Sequence, residues 1–131
     1  MCVFCEIIAG NIPSSKVYED DEVLAILDLS QVTRGHTLVM PKKHYANILE
    51  ADEETTAACM KAVSRLSRQI VRNTGAIGLN VLNNCGAVAG QSVDHLHFHI
   101  IPRYSEKDAV SFAFHESEKL DLNEVLAEIT K

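Results

Sequence analysis

A chain of 131 residues is sized for a single domain with a core of its own. A hydrophobic share of 47% and a charged share of 23% exclude extended disorder. With 12 Lys plus Arg against 18 Asp plus Glu, the net charge of −6 excludes a fold-wide basic footprint for long nucleic acid, while a local site can still oppose it for a small anion.

No apolar run behind a basic leader opens the chain, so no secretory signal is expected. The longest uncharged run, Asn73 to Val93, carries four Asn and four Gly and is too polar to span a bilayer. The expectation is a soluble cytoplasmic protein with reduced thiols and no membrane partner. The elements follow in order. A helical turn is expected over Phe4 to Ala9, stopped by Gly10 and Pro13. Lys16 to Glu19 and Glu22 to Asp28 read as a hairpin turning at Asp20-Asp21, and Thr37 to Pro41 as a third strand. Glu53 to Thr74 is the longest predicted helix, with Asp52 as N-cap and Gly75 as stop. Its predicted apolar face is Met60, Val63, Leu66, Ile70 and Val71. Ile77 to Leu82 is a strand, Asn83 to Gln91 a loop, and Ser92 to about Ile101 a last long strand ending at Pro102. Asp121 to Thr130 carries Leu122, Val125, Leu126 and Ile129 at helical spacing. Antiparallel strands around one long helix define an α+β fold.

The segment His95-Leu96-His97-Phe98-His99-Ile100-Ile101 carries the chemistry. On a strand its three imidazoles share one face and its apolar residues the other. Asp94 is then expected on the side of Leu96. Two chemistries compete for such a face. All three imidazoles can hold one metal that activates water, or one imidazole can be the nucleophile itself. The loop before it, bracketed by Asn84-Cys85-Gly86 and Gly90-Gln91-Ser92, has no charged residue and offers backbone N–H groups and neutral donors to a phosphate oxygen. Cys2 and Cys5 form a C-x-x-C that reads as half a zinc site or a redox pair. A closed site of Cys2, Cys5, His44 and His95 would leave His97 and His99 free. Cys59 and Cys85 read as packing residues.

These motifs resemble the histidine triad nucleotide-binding family, whose His-apolar-His-apolar-His-apolar-apolar hallmark residues 95–101 match throughout. Phe4-Cys5-Glu6-Ile7-Ile8, Leu27-Asp28, Gly35 through His44 and Gly90-Gln91-Ser92-Val93 also look like family signatures, so the likeness runs from about Cys2 to Arg103. It implies a single domain over 1–131 with 104–131 as a C-terminal extension, and a homodimer with one joint sheet formed through the long helix and a strand. It implies a purine nucleotide conjugate (AMP-like) as substrate, cleaved at its α-phosphate. By position, His97 is the implied nucleophile, His99 contacts phosphate oxygens or leaving group, and His36 supports the triad. Asn84, Gly90, Gln91, Ser92 and Val93 would cradle the phosphate. Asp28 would take the ribose hydroxyls, and Phe4, Ile7, Ile8, Leu27 and Leu29 would wall the base pocket. In the C-x-x-C subgroup, Cys2, Cys5, His44 and His95 bind a structural zinc, which the resemblance therefore favours over the three-imidazole metal. The C-x-x-C and Gln91-Ser92 look more like the purine nucleoside phosphoramidase branch than like diadenosine polyphosphate hydrolases. A non-enzymatic nucleotide-binding or scaffold role is the alternative of a different class. The chain departs from the pattern in having no Trp at its C-terminal end and in carrying Asp94 before the triad.

Overall fold

The computed structural model describes residues 1–131. The chain runs α1 (Val3–Ile8), β1 (Lys16–Glu19), β2 (Val23–Leu27), β3 (Thr37–Pro41), α2 (Glu53–Thr74), β4 (Gly78–Leu82), β5 (Phe98–Arg103) and α3 (Leu122–Ile129). The strands form one antiparallel sheet in the order β1-β2-β3-β5-β4. This is the expected α+β architecture. The expected first helix, hairpin, third strand and long helix fall within a residue or so of their predicted bounds.

Period-two alternation sorts the sheet into two faces. Val23, Ala25, Val39, Leu96, Phe98 and Ile100 pack on the α2 residues Cys59, Ala62, Val63, Leu66 and Ile70. Leu24, Ile26, Leu38 and Met40 point the other way and meet Phe4 and Ile7 of α1. Full burial of each Val, Leu, Ile, Phe or Met among them contributes ~1.5–3 kcal/mol relative to exposure. The α2 face is rotated slightly from the predicted one. Met60 is 41% exposed, while Cys59 and Ala62 take the inward positions. Both ends of α2 are closed as expected. Asp52 Oδ1 accepts from the Thr55 N–H at 2.7 Å, and Gly75, at φ +77°, donates its N–H to the Val71 carbonyl.

The last strand is shorter than its sequence implies. It starts at Phe98 and not at Ser92, and it ends at Arg103. Two backbone events stop it. Pro41, two residues past Val39 on β3 and so opposite Leu96, has no N–H to give, and the Leu96 N–H goes to the Tyr45 carbonyl at 2.7 Å. On the other edge β4 ends at Leu82 opposite His99, and the Asn83 side chain donates to the His97 carbonyl at 2.9 Å. Asp94 therefore does not sit on a strand facing Leu96's side; it is exposed in the preceding turn. Within the 83–91 loop, Ala87–Ala89 forms a single tight helical turn.

From residue 111 onward every side chain is exposed except the half-buried Val125. The face of α3 carrying Leu122, Leu126 and Ile129 thus meets no core of its own chain. No helix is long and apolar enough to cross a membrane.

Candidate active site and metal centre

Shortening β5 does not scatter the three imidazoles. Leu96, Phe98 and Ile100 all enter the α2 core, so His95, His97 and His99 remain together on the α1 face. The rings of His97 and His99 lie 5.1 Å apart, and the Phe4 ring presents an edge to both His97 and His95, at 5.0 and 5.9 Å.

His97 is 6% exposed. Its only ring hydrogen bond joins Nδ1 to the His95 carbonyl at 2.7 Å. A carbonyl can only accept, so Nδ1 carries the hydrogen and Nε2 keeps a free lone pair. Burial pushes its pKa below the ordinary imidazole value, against the smaller opposing pull of that hydrogen bond and of Asp28. The ring is thus held neutral and nucleophilic.

His99 Nδ1 lies 2.9 Å from His36 Nε2, which also stands 3.6 Å from Asp28 Oδ2. The carboxylate favours the hydrogen on His36 Nε2, making His99 Nδ1 the acceptor and leaving His99 Nε2–H as a donor. This leaves His36 Nδ1 buried without a partner, as an acceptor lone pair and not the costlier orphan N–H. Burial, then the neighbouring His97 and His36, lower the His99 pKa to about 4. Asp28 Oδ1 accepts from the Ser30 N–H at 2.8 Å.

A cavity of about 250 Å³ opens beside these rings. Of the residues expected to bind nucleotide, Phe4, Ile7, Leu27, Asp28, Leu29, Ser92, Val93, His97 and His99 line it, with Leu29 as a fully exposed lip. Val3, Ile26 and Leu38 line it too and were not anticipated. Their signals were present in the chain. Val3 and Ile7 are i, i+4 on α1, and Ile26 pairs directly with Leu38 across β2 and β3.

Ile8, Asn84, Gly90, Gln91 and His36 do not line the cavity. Ile8 packs against the Phe4–Met40 cluster, and His36 sits behind His99. Asn84 reaches across its own loop toward the Gly90 carbonyl at 3.5 Å. Gly90 has φ +101°, a left-handed conformation that favours glycine, and a Cβ there would also crowd the Asn84 amide at 3.3 Å. The Gln91 side chain is committed to the protein. It accepts from the Gly86 N–H at 2.9 Å and donates to the Ala46 and Val93 carbonyls at 2.7 and 3.0 Å. It ties the loop to the segment holding His44. Gln91→Ala is expected to loosen that loop and speed amide hydrogen exchange over residues 83–91, and Gln91→Glu, which keeps only the acceptor role, to recover little of the lost protection.

The four expected metal ligands converge. Their donor atoms all lie within 4.8 Å of one another. Cys2 Sγ and Cys5 Sγ stand 3.4 and 3.6 Å from His95 Nδ1, Cys5 Sγ is 3.4 Å from His44 Nδ1, and the two Nδ1 atoms are 3.1 Å apart. A tetrahedral zinc with ordinary Zn–S and Zn–N bonds separates S from N by about 3.5 Å and N from N by about 3.3 Å. The set is compatible with structural zinc. His95 Nε2–H donates to the Pro41 carbonyl at 2.8 Å, which turns the lone pair of Nδ1 to the centre. His97 and His99 are not among these ligands, so the three-imidazole metal is not what this geometry offers. Cys59, fully buried under the sheet, has its thiol pKa raised to about 12 by burial and is inert.

An antiparallel sheet that sets a neutral, oriented imidazole beside an apolar cleft and ties it to a Cys/His cluster defines a histidine-triad protein. The HIT domain family matches residues 9–106, and the chain belongs to it. It is similar to the adenosine 5'-monophosphoramidase hnt1 of Schizosaccharomyces pombe, at 42% identity over 81% of this chain and 77% of that protein. It is also similar to the adenylylsulfatase HINT3 of Arabidopsis thaliana, at 46% identity over 83% of this chain and 55% of that protein. Among solved structures, a HIT family member from Bacillus subtilis superposes with a TM-score of 0.92 at 48% identity, over 98% of this chain and 94% of that one.

Proposed function

We propose that this protein is a nucleotidyl hydrolase or transferase that removes a purine nucleoside monophosphate from a leaving group, of the phosphoramidate or acyl-adenylate type. The observation that carries it is the tautomer of His97, whose Nδ1–H is spent on the His95 carbonyl while Nε2 stays free in a ring that lines the cleft. His97 Nε2 attacks the α-phosphorus. The bond from phosphorus to the leaving atom breaks with its electron pair on that atom, which takes a proton from solvent. Water then attacks the nucleotidyl-histidine and gives up a proton to solvent; the P–Nε2 pair returns to the ring and the nucleoside monophosphate leaves. His99 Nε2–H and the Ser92 hydroxyl are neutral donors for the charge growing on the phosphoryl oxygens. Asp28 Oδ2 faces the ribose hydroxyls, and Phe4, Ile7, Leu27 and Leu29 wall the base. Cys2, Cys5, His44 and His95 hold a zinc whose part is structural, keeping His95 and the turn before His97 in place. The names of hnt1 and HINT3 support hydrolysis of an AMP-linked substrate.

A homodimer with a joint sheet completes the reading. Support for it lies in β4, an edge strand with an exposed Val81, and in the adjoining shallow cleft lined by Ser67, Arg68, Val71, Arg72 and Leu79, where the Ser67 hydroxyl is buried without a partner. The unpartnered face of α3 in the 104–131 extension adds apolar area for a second copy. Light scattering during size exclusion is expected to give twice the chain mass. The decisive test of the activity is to mix the protein with adenosine 5'-phosphoramidate and quench rapidly. An adenylyl adduct on His97 is expected. AMP binding with no adduct and no turnover would instead assign a non-enzymatic nucleotide-binding role.

A further inference from the structure

The metal cluster and the nucleotide cleft share their walls. Val3 and Phe4, which line the cleft, lie between Cys2 and Cys5 in the chain, and Val93 and His97 lie two residues either side of His95. One wall is α1, a helix of 6 residues attached to the sheet by the packing of Phe4, Ile7 and Ile8 and by the two thiols beside it. The other wall is the turn before β5, which has left the sheet ladder and hangs on the Leu96–Tyr45 bond, the Asn83 and Gln91 braces and His95. The cluster therefore joins both walls through four ligands from three separate segments, beside the contacts of Phe4 with His95 and His97.

We infer that metal and nucleotide bind cooperatively: an ion held by Cys2, Cys5, His44 and His95 sets the separation of α1 from the 92–97 turn, and with it the width of the nucleotide cleft. This rests on the nucleotide reading of the cleft. In this scheme Cys2 and Cys5 are positioning residues for a ligand they never touch. Thermodynamic linkage makes the effect reciprocal, so whatever factor the metal adds to nucleotide affinity, the nucleotide adds to metal affinity.

The test compares AMP binding by calorimetry in zinc-loaded and chelator-stripped protein, and zinc affinity against a competing chelator with and without saturating AMP. The expected result is a Kd for AMP at least tenfold weaker without zinc, and zinc bound tighter with AMP by the same factor. Hydrogen exchange on the stripped protein separates a local effect from collapse. Protection should fall over residues 3–9 and 92–97 while α2 and the central strands stay protected. Equal AMP affinity in the two forms overturns the inference, and so does loss of protection throughout the sheet. Zinc-loaded protein that does not bind AMP at all would sink the nucleotide reading instead, a separate outcome.

Discussion

His97→Ala is expected to lower turnover of an adenosine phosphoramidate by at least ~10³-fold while nucleotide binding and zinc content survive. The size follows from the role. The ring supplies the only free imidazole lone pair that lines the cleft, because His99 Nδ1 is taken by His36 and His95 Nδ1 by the cluster. Under the proposed covalent mechanism, removing it removes the intermediate and not a share of its stabilisation. Zinc content should hold because neither ring nitrogen of His97 is a member of the Cys/His set. The edge contact between Phe4 and His97 is lost, so the base wall loosens somewhat, and a modest rise in KM is expected beside the collapse in kcat. Steady-state kinetics with metal analysis reads all three quantities. Unchanged turnover would defeat covalent catalysis, and lost zinc would reassign His97 as a ligand.

Acid is expected to destabilise the fold through His99. Its pKa falls to about 4 in the folded chain from the ordinary 6.5. Between those values the unfolded chain binds a proton that the folded chain refuses, so stability rises with pH across the window. The contribution is complete above about pH 6.5 and is lost as pH falls through about 4, on the order of 2–3 kcal/mol for this site. His97 is displaced in the same direction by its own burial and adds to the effect. Urea midpoints at pH 7 and pH 5 measure the drop, and His99→Gln should shrink it. An equal drop in that variant would place the acid sensitivity elsewhere. In the intact protein, the His99 ring should still titrate as neutral at pH 5 by NMR.

Local chemistry dictates much of this molecule. The α2 helix could be bounded in advance because Asp52 and Gly75 solve the problem of its unpaired N–H and C=O groups with their own side chain and backbone. The three imidazoles could be assigned one face because alternation is a property of extended backbone, and it holds at His95 and His97, before the strand begins at Phe98. The candidate ligand set Cys2, Cys5, His44 and His95 could be written down from donor chemistry, since thiolate and imidazole are what a closed zinc site takes.

What the order of residues could not supply are facts about partners in space. The strand's early end depends on Pro41 and Asn83 arriving opposite it, 54 residues from His95 and 14 from His97 respectively. Gln91 reads from its type as a phosphate donor, but folding brings the Gly86, Ala46 and Val93 backbone groups within reach, and the half-buried amide satisfies those first. The inward set of α2 turned from Met60 to Cys59 and Ala62 because the packing against the sheet, and not the helix's own periodicity, chooses which arc is covered. Which nitrogen of each histidine bears its hydrogen was decided the same way, by a carbonyl or a carboxylate from another part of the chain. Residue types carry the capacity for the chemistry; tertiary contacts select the tautomer, because a proton on imidazole goes to whichever nitrogen faces an acceptor.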